Sequence, residues 1–166
     1  MAFDSVDGLR SIGVKGFKRV KALQENACAD VPKVQGIYIV FRNAKTPPKF
    51  MLKNIGGHFK KKDPSVSIKE LTDNWVDNAK ILYIGKAGGR DSSATLKSRL
   101  WQYVQFGAGR PIGHWEGRYI WQLEDSSELL VGWKAFDVEE PKDVENNMVA
   151  EFVIKYGKRP FANPKD

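Results

Sequence analysis

Two charged side chains fall where the sequence pattern expects apolar ones, and together they outline phosphate chemistry. At about 100° per residue, a helix running from Pro141 to Tyr156 carries Val144, Met148 and Phe152 on one stripe, and Glu151 lies roughly 20° from Val144, between Val144 and Ile154. Burying an ionised carboxylate without a partner costs several kcal/mol, so Glu151 is expected beside a cation or metal, or facing a cleft. A salt bridge to a Lys or Arg at the rim of the core is the alternative. Glu145, about 100° from Val144 at the edge of the stripe, is the weaker candidate. On a second helix, predicted over Ser92 to Gln105, Arg99 falls beside Leu96 and Tyr103. One inward Arg is often only an ion-pair partner; a Glu and an Arg that both lean toward one sheet equally suit phosphoryl chemistry, the Glu holding a hard divalent cation and the Arg countering charge on the phosphoryl oxygens.

Composition narrows the alternatives. The chain has 166 residues, 42% of them hydrophobic, enough for one domain with its own core. Cys28 is its single cysteine and His58 and His114 its two histidines, which excludes a disulfide framework and an ordinary structural zinc site. No apolar run is long enough to span a bilayer, and Asp4 and Asp7 near the start do not suit a signal peptide, so a cytoplasmic protein off the membrane is expected. The net charge is +7, with clusters at Lys15, Lys18, Arg19 and Lys21, at Lys60, Lys61 and Lys62, and at Lys155, Lys158 and Arg159. Such a balance favours polyanions, through counterion release when phosphates are neutralised, while each cluster taken alone reads equally as a solvated face.

The elements that must carry these residues follow from periodicity and punctuation. Val34 to Arg42 and Lys80 to Lys86 are β-branched and aromatic runs closed by Pro47-Pro48 and Gly88-Gly89, and both read as strands. Between them, residues 43–79 form an irregular insertion with one helix near 68–78, opened by the capping box Ser67-Ile68-Lys69-Glu70. Lys15 to Asn26 allows a short amphipathic helix, with Phe17, Val20 and Leu23 on one side. Phe106 to Gly117, with four glycines and a proline, is a loop. Arg118 to Leu123 and Leu129 to Phe136 read as a hairpin, and the last helix runs from Pro141, a favourable first-turn residue, to a cap at Gly157. The expected fold class is α/β (α+β): a small antiparallel or mixed sheet with helices on its faces.

Gly36-Ile37-Tyr38 on one strand, Tyr83-Ile84-Gly85 on the next, Arg99 on the following helix, Glu151 on a later one and Asn163 near the end resemble the GIY-YIG endonuclease superfamily. Each tripeptide alone is ordinary strand chemistry; the order of five elements across residues 36–163 carries the resemblance. It implies one nuclease-like domain over residues 1–166. It implies hydrolysis of DNA phosphodiester bonds with one Mg²⁺ or Mn²⁺ ion per site. Tyr38 would be the general base or the group orienting the attacking water, and Tyr83 would hydrogen-bond in the same site. Lys86 would depress a phenol that is otherwise a poor base at neutral pH. Arg99 would stabilise the pentavalent phosphoryl group, Glu151 would bind the metal, and Asn163 would buttress the site from the tail; Gly36 and Gly85 complete the motif.

The chain departs from the family in the long insertion at 43–79 and in Tyr103, which stands where some members place a His. The insertion is either a DNA-contacting or site-covering element or a surface excursion. Lys60, Lys61 and Lys62, with Arg110, His114 and Arg118 around the Gly-rich loop, are candidate DNA contacts. Trp115, Trp121 and Trp133 are assigned to the core. The compact layout leans toward restriction-type members, which leaves a homodimer open. The rival function is a nucleic-acid-binding module that kept the fold and lost catalysis.

Overall fold

Residues 36–41 alternate Ile37, Ile39 and Phe41 with Tyr38 and Val40, and every one of them is buried, as a strand covered on both faces requires. In the computed structural model, which describes residues 2–165, the segment is one of the two inner strands of a four-stranded antiparallel sheet. The strands are β1 (Lys15–Arg19), β2 (Gly36–Phe41), β3 (Ile81–Ala87) and β4 (Leu130–Ala135), in the spatial order β1-β4-β2-β3. Five α-helices are found among the described residues: α1 (Val6–Ser11), α2 (Val20–Glu25), α3 (Ile68–Asn74), α4 (Leu96–Gly107) and α5 (Pro141–Tyr156).

The sheet separates two apolar layers. Ile37, Ile39, Phe41 and Ile84 pack with Leu9 of α1 and Val149 and Phe152 of α5. Tyr38, Val40 and Tyr83 pack with Leu23 of α2 and Leu96, Leu100 and Tyr103 of α4. The register pairs Tyr38 with Gly85, and any Cβ at Gly85 would collide with the Tyr38 ring, so the glycine makes room for the phenol across the strand pair. At Gly36 a Cβ would strike the Lys134 carbonyl on β4.

The helix boundaries follow local chemistry. Thr95 and Ser98 form a reciprocal capping box at the start of α4, and Ser67 accepts from the Glu70 amide at the start of α3. Pro141 opens α5 and Gly157, at φ +75°, closes it, as the sequence predicts.

Two expected elements are different. Residues 15–19 are strand rather than helix: Gly16 and Phe17 take positive φ, a bulge re-aims the chain, and β1 pairs with β4 before α2 begins at Val20. Arg118–Gln122 is a 3₁₀ helix, so the predicted hairpin does not form. Gly117 turns the chain at φ +76°, and the backbone of this stretch is claimed by the insertion: the Met51 and Ile55 amides donate to the Gln122 and Trp121 carbonyls. The buried Gln122 amide donates to the Met51 and Val66 carbonyls and accepts from the Val66 amide. β4 pairs with β1 and β2 instead.

Candidate active site

β2 and β3 bring Tyr38 and Tyr83 together, with ring centroids 5.9 Å apart, and α4 adds Tyr103, 6.2 Å from Tyr38 and 5.5 Å from Tyr83. The Gly-rich loop after α4 adds His114, whose ring stands 4.7 Å from that of Tyr103 and is only 1% exposed. His114 Nδ1 lies 3.0 Å from the Glu116 carbonyl, which can only accept, so Nδ1 carries the proton and Nε2 is left as an acceptor. The Tyr38 hydroxyl therefore donates to His114 Nε2, at 3.3 Å. Tyr103 donates to the Gly117 carbonyl at 2.9 Å, which pins the same loop.

Burial sets the protonation states. It pushes the Tyr38 phenol up to about 12, against the opposing pull of Arg99, and it pulls His114 down to about 3, helped by Arg99. The expectation that Lys86 depresses a phenol is corrected: the cation acting on Tyr38 is Arg99, and desolvation outweighs it.

Beside this cluster, a cleft of about 390 Å³ is lined by Lys86 at the end of β3, Arg99 of α4, Glu116 of the loop and Glu145 of α5. Burial raises the Glu145 carboxyl above its ordinary value; Lys86 works against that and Glu116 reinforces it. Glu145 and Glu116 also border a second cleft, of about 520 Å³, with Tyr83, Trp115, Arg118 and Arg159.

Glu151 is not in this group. It is exposed on α5 and borders none of the clefts that Glu145 lines, so its reading as an inward carboxylate is overturned. The wheel drawn through Val144 and Ile154 is off centre, because Ile154 is 85% exposed and the buried line of the helix runs through Pro141, Val149 and Phe152. On that line Glu145 sits one turn after Pro141 and one before Val149, and faces the sheet edge. Centring the wheel on Pro141, Val149 and Phe152 would have found it. Glu116, in an irregular loop, carries no periodic pattern to betray it.

The remaining predicted residues divide. Asn163 reaches β3 from the tail: its Oδ1 accepts from the Ile84 amide at 2.8 Å and its Nδ2 donates to the Ile84 carbonyl at 2.9 Å. His114 is buried beside Tyr38 rather than presented to solvent. Arg118 lines the larger cleft. Lys60, Lys61, Lys62 and Arg110 are exposed and border neither cleft, although Phe59 packs beside Gly113 and so holds the lysines next to the His114 loop. Trp121 and Trp133 are core residues; Trp115 is 37% exposed and is not.

Glu116 and Glu145 are the two carboxylates on the cleft of Lys86 and Arg99. Among the described residues no group of three or more His, Cys, Asp or Glu is placed to hold a metal ion. Two carboxylates on a polar cleft, with water and phosphate oxygens completing the shell, are what Mg²⁺ ordinarily takes. A comparison with protein-family models, with curated proteins and with solved structures finds no match to this chain.

Proposed function

We propose that this protein is a divalent-metal-dependent endonuclease that hydrolyses DNA phosphodiester bonds at a site of GIY-YIG type. The observation that carries the reading is the meeting of Lys86, Arg99, Glu116 and Glu145 in one cleft, adjacent to the paired tyrosines of β2 and β3. Cations facing carboxylates across a polar cleft are the complement of a phosphodiester with its metal. Glu145, assisted by Glu116, would hold Mg²⁺ or Mn²⁺, the part the sequence resemblance implies for Glu151. The ion supplies Lewis-acid stabilisation of charge on the phosphate and the leaving oxygen.

The chain's own residues do the rest. Lys86 and Arg99 bind non-bridging phosphoryl oxygens and balance the charge that grows on them. Tyr83, the tyrosine that borders a cleft, hydrogen-bonds the attacking water, while Tyr38, fully buried and bordering neither cleft, acts as a positioning residue beneath it, its hydroxyl held by His114 Nε2. The Glu116 carbonyl fixes the imidazole tautomer whose Nε2 accepts from Tyr38. Recognition carried by the segment between β2 and β3, and a homodimer, are the finer proposals that follow from a restriction-type layout.

The test is nicking and linearisation of supercoiled plasmid with Mg²⁺, Mn²⁺ or EDTA. Glu145→Gln and Arg99→Ala should each lose about 10²-fold or more in rate, the scale of a preorganised charge-stabilising group. Glu151→Gln should cleave like the wild type. Cleavage that survives EDTA, or that Glu145→Gln leaves intact, would overturn the assignment. The complete burial of Tyr38, with its hydroxyl already satisfied by His114, favours a second reading as a DNA-binding module without catalysis. Salt-sensitive binding with no cleavage of plasmid, branched or damaged DNA would establish that one.

A further inference from the structure

The larger cleft holds no residue that the proposed hydrolysis requires beyond Tyr83 and, on the wall it shares with the smaller cleft, Glu116 and Glu145, yet it is built around an aromatic surface. The Arg118 guanidinium lies 4.6 Å from the centroid of Trp115 and 5.6 Å from that of Tyr119. Its Nε is buried and has no hydrogen-bond partner among the described residues. The segment is held from several sides. Asn54 Nδ2 donates to the Arg118 carbonyl at 2.8 Å, the Tyr119 hydroxyl donates to Glu70, and Gly117 supplies the left-handed turn between Trp115 and Arg118. Against this fixed support Trp115 keeps 37% of its surface in solvent.

Charge divides along the cleft. Arg118, Arg159 and Lys165 line the larger cleft, while the carboxylates of Glu116 and Glu145 lie on the wall it shares with the cleft of Lys86 and Arg99. Arg159 is anchored by its Nε, which donates to the Asn163 carbonyl at 2.7 Å. A volume of about 520 Å³ falls in the range of sites that enclose a small ligand. Basic side chains around a half-exposed indole, already backed by a guanidinium, match the requirements of one nucleotide: a base to stack and phosphates to neutralise.

We propose that this cleft binds one unpaired nucleotide adjoining the scissile phosphate, with its base stacked on Trp115 and its phosphate met by Arg159 and Lys165. The inference rests on the nuclease reading for its placement, since the two clefts share Glu116 and Glu145 and a strand whose phosphate sits at Lys86 and Arg99 enters the larger cleft next. Stacking on Trp115 requires a base face that is free of its neighbours, so the substrate class is DNA with an unpaired or everted nucleotide at the cut.

The test is binding in EDTA, followed by fluorescence anisotropy, of a short labelled single strand, the matching duplex and the matching strand with abasic sites, by wild type, Trp115→Ala and Trp115→Phe. Trp115→Ala should weaken binding of the base-bearing strand by about 10-fold or more, leave the abasic strand unchanged, and be largely rescued by Trp115→Phe. Trp115→Leu, which keeps bulk without a π face, gives the same comparison if the alanine variant melts. Equal binding of the base-bearing strand by wild type and Trp115→Ala would overturn the proposal, and so would an equal loss on the abasic strand. Metal-dependent plasmid cleavage by the wild type with no Trp115 effect would sink this inference alone. A Trp115-dependent preference for base-bearing strands in a protein that never cleaves would uphold the stacking site and sink the nuclease reading.

Discussion

Burial drives Tyr38 and His114 in opposite directions along the pH scale and leaves both uncharged near neutrality, joined by one hydrogen bond. The consequence for stability has a definite sign. An unfolded His binds a proton below about 6.5, whereas folded His114 refuses it until about 3, so the unfolded chain holds more protons throughout that window. Stability from this residue is complete above pH 6.5 and falls by about 1.4 kcal/mol for each unit the pH drops toward 3. Urea unfolding of wild type and His114→Asn between pH 7 and pH 4 should show a steeper decline for the wild type. Parallel curves would mean that the imidazole is more accessible than its packing against Tyr103 implies. The same contact makes His114 a positioning residue for Tyr38 and for the loop that carries Glu116, so His114→Asn should also lower the rate of cleavage.

β3 is an edge strand, and its free side is closed by the tail rather than by another strand. The Ala162 amide donates to the Leu82 carbonyl at 2.8 Å, and the Asn163 side chain takes both backbone groups of Ile84. One amide side chain thereby does the work of a strand residue, between Tyr83 and Gly85. Asn163→Ala should cost about 2 kcal/mol, two hydrogen bonds at roughly 1 kcal/mol each, measured by urea unfolding. Asn163→Asp should recover little, because a carboxylate cannot donate to the Ile84 carbonyl and repels it. On the other side of the site the insertion between β2 and β3 acts as a support. Its Asn54 and Glu70 hold Arg118 and Tyr119, and it packs against Gln122 through four hydrogen bonds to that one side chain. That packing, rather than intrinsic propensity, makes residues 118–122 helical, and it explains why a run as β-favouring as Tyr119, Ile120 and Trp121 is not a strand.

Across the whole molecule the charge of +7 is spread rather than gathered at the clefts. Lys60, Lys61 and Lys62 stand exposed beside the loop that carries His114. A duplex whose phosphate enters at Lys86 and Arg99 extends far beyond one cleft, and these lysines are the nearest concentrated charge on the insertion. Replacing all three by Ala should lower the slope of log K against log salt by about 0.9 for each lysine that neutralises a phosphate, with cleavage at low salt retained. An unchanged slope would put the DNA path on another face. No helix among the described residues is long and apolar enough to cross a membrane.

What the sequence determined by itself was local. β2 and β3, α5 with Pro141 at its start and Gly157 at its end, and the Ser67 cap of α3 all follow from residues within a few positions of one another, where propensity, periodicity and capping act. Arg99 is legible for the same reason, since the helix period fixes its direction, whereas Tyr38, Tyr83 and Lys86 are singled out by the resemblance of the two strand motifs. Tertiary structure alone decided which face of α5 is inward, and so brought Glu145 and not Glu151 to the cleft. It also buried His114 against Tyr38, set Glu116 opposite Lys86 and Arg99, and turned residues 15–19 into a strand. Each of these depends on what a distant segment places alongside: β4 beside β1, the sheet edge beneath α5, the insertion against residues 117–123. A side chain's burial, and with it its charge and its chemistry, is a property of those neighbours and not of its own stretch of chain.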